Sequence, residues 1–277
     1  MLSANIEYFK PATIDEAVEL FLLLKSENKH PLYYGGGTEI LTLGRLNFIE
    51  TEAIIDIKGI GECLSFHFNQ DYLITGAALS LTNIEEKNLF PLLTAASMGV
   101  ADHTARNKIT LGGNICGQIF YRESVLPFLL CDSQVVIAGG NGKQTFALNE
   151  IFNQTLQLEE GHFLLQLLTE KKYTNLPFVC IKKRQQWETG YPLLTIAAIK
   201  VEQQLRFAFS GLCPFPFRSK RIEEELNKIS LSIEERINSA LPHIPKPVLD
   251  DIEGSKDYRL FVLRNTLKDI IMDLEGR

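Results

Sequence analysis

The chain has 277 residues, of which 45% are apolar and 22% charged, and a formal net charge of −6. That composition is that of a globular protein long enough for two domains. It argues against a nucleic-acid partner, because the basic clusters Lys182-Lys183-Arg184 and Arg218-Lys220-Arg221 are short and isolated.

The opening stretch "MLSANIEYFK" has no apolar signal-peptide core, and no apolar run is long enough to span a bilayer, so the sequence reads as cytoplasmic and free of membrane. Cys63, Cys116, Cys131, Cys180 and Cys213 form no C-x-x-C pair. Such a scattered, odd set points to reduced thiols, and away from zinc or an iron–sulfur cluster held by this chain alone.

In chain order, Thr13 and Glu16 make a capping box that starts a helix over "IDEAVELFLLL". Leu32-Tyr33-Tyr34 reads as a short strand ending in three glycines, and "AIIDI" (53–57) as the next strand, giving a helix and then a β–loop–β unit. Strands are expected at 72–79 and 134–139, and helices around 82–100 and 124–131. "GGNGKQ" signals a hairpin. "HFLLQLLT" (162–169) reads as a strand rather than a short helix. The polar run Glu170-Lys171-Lys172 before Pro177 suggests a domain boundary. Beyond it come strands at 178–184, 193–202 and 205–212, then helices at about 218–229, 232–241 and 257–275. The last has apolar Leu260, Leu263, Leu267, Ile270, Ile271 and Leu274 at core-packing spacing, with Gly276 placed to stop it.

Two glycine-rich loops stand out: Gly35-Gly36-Gly37-Thr38 and Thr110-Leu111-Gly112-Gly113-Asn114. Neither fits a dinucleotide fingerprint, since Ile40 stands where the third glycine belongs, and there is no G-K-[ST] of a P-loop. Each alone reads as a turn or as a phosphate cradle. As a pair, glycines able to take positive φ can turn successive N–H groups toward an anion, with Thr38, Thr110 and Asn114 adding side-chain donors. That chemistry suits a pyrophosphate.

The pattern "YYGGGTEIL … PLLTAASMGVADHTARNKITLGGNICG … LPFLLCDSQVVIAG" resembles the FAD-binding medium subunit of molybdenum hydroxylases of the xanthine dehydrogenase and carbon monoxide dehydrogenase type. The opening "YFKPATIDEAVELF", the stretch "YPLLTIAAIKVEQQLRFAFSGLCPFPFRSKRIEEEL" and the closing "GSKDYRLFVLRNTL" extend the likeness over nearly the whole chain. The resemblance implies an α+β fold. A two-part FAD-binding module of the vanillyl-alcohol-oxidase (PCMH) type would occupy 1–172, divided at about 58/59, and a small α+β C-terminal domain 173–277.

It implies that Gly35, Gly36, Gly37, Thr38 and Glu39, with Tyr34 beside them, hold the FAD pyrophosphate, and that Ile40 and Leu41 continue along the dinucleotide. Thr110, Gly112, Gly113 and Asn114 would complete the phosphate and ribityl contacts, and Glu123 and Lys182 would lie toward the flavin ring. Glu123 stands where the family has an aspartate, Ile109 where it has a glycine, and Lys183-Arg184 come directly after Lys182. The cofactor implied is FAD. The implied partners are a [2Fe-2S] small subunit and a molybdopterin large subunit, with NAD+ or O2 as electron acceptor. A stand-alone flavin oxidase of the same fold and a scaffold subunit that has lost FAD are the alternatives. His103 reads as structural rather than catalytic, and Cys116 as a small buried hydrophobe. Trp187 reads as a cover for the flavin or as an interface aromatic.

Overall fold

The computed structural model describes residues 5–184 and 190–276, so the roles expected for Trp187 fall outside the described residues. Strand β1 (Glu7–Phe9) leads to helix α1 (Ile14–Ser26). Thr13 caps α1 by accepting the Glu16 amide, and the Glu16 carboxylate reaches back to the Ala12 amide, one residue earlier than the usual box. Strand β2 (Leu32–Tyr34) runs into the glycines as expected. The glycines do not open a long loop, because Thr38–Arg45 form helix α2 before strand β3 (Ala53–Asp56).

Strands β4 (Phe66–Phe68) and β5 (Tyr72–Gly76) come next. The helix expected over 82–100 is two helices, α3 (Leu81–Lys87) and α4 (Pro91–Met98). Asn88 takes positive φ and Pro91 restarts the helix at its first turn, where its missing N–H costs nothing. Short helices α5 (His103–Arg106), α6 (Leu111–Cys116) and α7 (Leu126–Leu130) are next in the chain. Strands β6 (Gln134–Gly139) and β7 (Gly142–Ala147) close the expected hairpin, with Gly139 opposite Gly142. Helix α8 (Leu148–Ile151), strands β8 (Phe152–Asn153) and β9 (Thr155–Leu156), and strand β10 (Phe163–Glu170) complete this half. Then come β11 (Phe178–Arg184), β12 (Pro192–Val201), β13 (Gln204–Ser210) and β14 (Phe217–Arg218). Helices α9 (Lys220–Leu226), α10 (Ile233–Ala240) and α11 (Lys256–Glu275) end the chain. Gly276 caps α11 at a right-handed φ of −77°, so its stop uses no left-handed turn.

These elements form two compact units. One takes residues up to 87, 103–118 and 132–171; the other takes 88–102, 119–131 and the residues from 172 on. In the first, a three-stranded parallel sheet has the order β1-β3-β2, and a five-stranded antiparallel sheet the order β4-β5-β10-β6-β7. Helix α1 buries Ala17, Val18, Phe21 and Leu24 against apolar residues of β3, β6 and β10. The parallel β2–β3 pair carries the first glycine loop at the carboxyl end of β2, where α/β units place their ligand loops.

In the second unit, an antiparallel sheet of order β11-β12-β13-β14 packs one face on α9, α10 and α11. Leu263, Leu267, Ile270, Ile271 and Leu274 are buried there, as their spacing predicts, and Leu260 is partly buried. The opposite face carries Lys182, Thr195 and Ser210 in one row across three strands, and α4 and α7 pack against the same sheet. Among the described residues no helix is long and apolar enough to cross a membrane.

Candidate functional site

The first glycine loop leaves β2 and turns into α2 at Gly37, which takes φ +73° as the N-cap. A Cβ at Gly37 would lie 2.1 Å from the Tyr34 ring, so both backbone and space exclude a side chain. No side chain caps α2. The amides of Gly36, Gly37, Thr38 and Ile40 therefore meet no acceptor within the described chain. Bare N–H groups at a helix start, together with the helix dipole, suit an anion.

Gly35 and Gly36 are not at positive φ, and their need for glycine has a different cause. A Cβ on Gly36 would sit 1.8 Å from the Lys108 carbonyl oxygen, and one on Gly35 would sit 2.5 Å from Thr110 Oγ1. The two glycine loops are packed directly on each other. The second loop is consequently no nest of outward amides. Leu111 and Gly112 donate to the carbonyls of Leu79 and Ala77 at 2.9 and 2.7 Å, Gly113 to Thr110 Oγ1 at 3.2 Å, and Asn114 to the Thr110 carbonyl at 2.9 Å. Thr110 Oγ1 thus accepts as the N-cap of α6, and a Cβ at Gly112 would press on Ala77 at 2.8 Å. The Asn114 side chain is buried. Glu39 accepts the Gln118 amide just beyond α6, which ties α2 to the end of α6. Thr38 is exposed, while Tyr34 and Ile40 are partly buried.

Sequence reasoning missed the support under this loop. The ammonium of Lys58 donates to the Gly35 carbonyl at 2.5 Å and to Asp56 Oδ1 at 2.7 Å, and lies 4.5 Å over the Tyr34 ring. Asp56, at the end of β3, is 2% exposed and also accepts the Tyr8 hydroxyl and the Lys58 amide. Burial opposes its ionisation, but hydrogen bonds from Lys58 and Tyr8 outweigh that and hold its carboxyl below the usual range. The same hydrogen bond, aided by burial, pushes the Tyr8 hydroxyl up to about 12. The available signal was the Asp-x-Lys spacing directly after the "AIID" strand, since an aspartate there caps the next turn.

Glu123 and Lys182 belong to the second unit, apart from the other eleven expected site residues, which lie in the first. They meet each other: Lys182 Nζ lies 2.6 Å from Glu123 Oε1, with the side chains only 14% and 2% exposed. Lys182 and Arg184 both donate to the Gly99 carbonyl. Burial pulls the Lys182 ammonium below the usual lysine range against the opposing field of Glu123. His103 is exposed, and its neighbour Arg106 pairs with Glu85 at 3.2 Å. Cys116 is exposed, contrary to its reading as a buried hydrophobe, because α6 ends there on the surface. Cys63 and Cys213 are buried thiols, pushed up to about 12 by burial.

Residues 4–168 match the family described as the FAD binding domain in molybdopterin dehydrogenase. The chain is 23% identical over 286 residues to the xanthine dehydrogenase FAD-binding subunit of Escherichia coli O157:H7, covering 96% of this chain and 94% of that one. It is 24% identical over 271 residues to the carbon monoxide dehydrogenase medium chain of Hydrogenophaga pseudoflava, covering 94% and 93%. A solved chain of carbon monoxide dehydrogenase from that organism superposes with a TM-score of 0.87 at 21% identity, covering 100% of this chain and 99% of the other. The expected fold class is the one these neighbours share. The chain belongs to the family of FAD-binding domains of molybdopterin dehydrogenases, and its cofactor is FAD.

Proposed function

We propose that this member of the molybdopterin-dehydrogenase FAD family is the electron-transfer subunit of a molybdenum hydroxylase complex of the xanthine dehydrogenase type. The observation that carries the reading is the uncapped start of α2, whose glycine-led amides have no acceptor in the described chain. A donor set of backbone N–H groups beside small residues fits the pyrophosphate of FAD. Gly35, Gly36, Gly37, Thr38 and Ile40 would hold it, with Tyr34 beneath. Thr110, Gly112 and Gly113 would hold this loop from behind, and Glu39 would fix α2 against the end of α6. Asn114 would complete the phosphate and ribityl contacts. Residues 1–172 would form the FAD-binding module and 173–277 the C-terminal domain.

When bound, FAD would take electrons from iron–sulfur clusters on a partner subunit and pass them to NAD+ or O2. Glu123 and Lys182 would act toward the flavin as a neutral pair rather than as separate charges, since each already compensates the other. A [2Fe-2S] subunit and a molybdopterin subunit are the partners this reading requires. Its support is that the chain spans 94% of the xanthine dehydrogenase FAD-binding subunit. Five free cysteines agree with a cytoplasmic setting.

The test is flavin content. The purified chain or its complex is expected to carry about one FAD per chain and to gain thermal stability from added FAD, as ligand linkage requires. A colourless preparation that added FAD neither colours nor stabilises would overturn the proposal.

A further inference from the structure

A chain of contacts runs from Tyr8 through Asp56 and Lys58 to the Gly35 carbonyl. A trans peptide points its carbonyl and its following N–H in opposite directions. Whatever holds the Gly35 carbonyl therefore also sets the direction of the Gly36 N–H. Lys58 does so with an ammonium that is turned onto protein groups: the carbonyl, the buried Asp56 carboxylate and the face of Tyr34. Asp56 is fixed in turn by Tyr8 on β1 and by the Lys58 amide, so the hold on the loop is anchored in the parallel sheet. Gly36 itself is packed so closely on the Lys108 carbonyl that no Cβ fits there.

We propose that Lys58 is a positioning residue, which locks the Gly35–Gly36 peptide so that the Gly36 N–H faces an anionic ligand. This rests on the reading of the loop as the FAD pyrophosphate cradle. Lys58 acts here through the peptide, not as a phosphate ligand, because its charge is already matched by Asp56.

The two roles make opposite predictions for Asp56→Asn. If Lys58 merely supplied positive charge, removing the neighbouring carboxylate would tighten anion binding. If Lys58 acts by position, D56N releases it and binding weakens although a negative charge has gone. The experiment titrates FAD into the full-length apo chain and tracks flavin fluorescence, with apo melting temperatures measured in parallel. Lys58→Met and D56N are each expected to weaken FAD binding by about tenfold, the size of one charge-assisted hydrogen bond, while Lys58→Arg stays within about threefold. Wild-type affinity in K58M, or tighter binding in D56N, overturns the positioning role and leaves the FAD reading standing. Failure of the wild type to bind FAD overturns both. If K58M or D56N does not fold, Tyr8→Phe decides: loosening Asp56 is expected to weaken binding by roughly twofold to threefold, and unchanged affinity overturns the proposal.

Discussion

Gly36→Ala probes the contact that makes one site of two loops. The new methyl carbon would lie 1.8 Å from the Lys108 carbonyl oxygen, 2.8 Å from its carbon and 3.1 Å from the Thr110 amide nitrogen. That is about 1.2 Å inside the closest approach such a carbon tolerates, and all three obstacles are backbone, so no rotamer change relieves it. Either the Gly35–Gly37 segment lifts off residues 108–110 or the second loop moves back. Moving back is resisted by the amides of Leu111 and Gly112, which are bonded to Leu79 and Ala77. The first loop lifts, and a displacement near 1 Å exceeds what an N–H···O contact with a phosphate accommodates. Overpacking of this kind costs about 1–3 kcal/mol, which corresponds to roughly a fivefold to 150-fold loss of FAD affinity if it falls on the bound state. The control is Gly61→Ala, because nothing lies within 4 Å of a Cβ there. Flavin fluorescence titration and thermal unfolding of both variants provide the comparison. The second unit, whose core is built from α9, α10, α11 and their sheet, is expected to keep its structure in G36A. Binding of FAD by G36A within twofold of wild type would refute the reasoning, since it would mean that the packing of the loops does not shape the cradle.

Lys182→Met is expected to destabilise the chain by about 3–5 kcal/mol by leaving Glu123 buried without its partner, and the double variant K182M/E123M to recover more than half of that loss; additive losses in chemical denaturation would remove the pairing argument. Arg259 is fully buried, donating to the carbonyls of Leu193, Gly211 and Gly254 and to Asp251, so Arg259→Met is expected to cost about 3 kcal/mol or more. Asp251→Asn, at a more exposed partner, is expected to cost less, and an equal loss in both would deny the carbonyl contacts their role. The Asp56 carboxyl is depressed in the folded chain, so its stabilisation is fully present above the unfolded value of about 3.9 and is lost as pH falls through the lower folded value. The melting temperatures of wild type and D56N are therefore expected to converge as pH falls below about 4; a gap that stays constant through the acid range would contradict the shift.

Legibility in the sequence depends on how local each signal is. Thr13 with Glu16, the glycine-rich hairpin turn and the apolar stripe of α11 report on neighbours in the chain, and all three elements stand where their residues place them. Helices α2 and α6 were invisible for a shared reason. Glycine opposes helix propensity, and α2 is capped by a left-handed Gly37 rather than by a side chain that could be read as a start signal. Tertiary packing supplies what propensity denies: Gly112 sits in α6 because Ala77 leaves no room for a Cβ.

The same distinction separates two kinds of glycine that the sequence makes look alike. Gly37 is needed for its φ, whereas Gly35 and Gly36 are needed because another stretch of chain passes over them. The pairing of Glu123 with Lys182 is the extreme case. Each residue taken alone points to the flavin end of the cofactor, and nothing between them in the chain says that they touch. Their contact is fixed by the β11–β12 register, which aims Lys182 to the face opposite Val179 and Ile181, and by Glu123 preceding α7 on the helices that pack against this sheet. A residue whose partner comes from another segment carries its role in the register, and a reading by motif assigns it to the ligand by default. Lys58 carries the converse lesson: its partners Asp56 and Gly35 lie close in the fold, but a lysine after a strand looks like any solvated charge until the carbonyl it holds is seen.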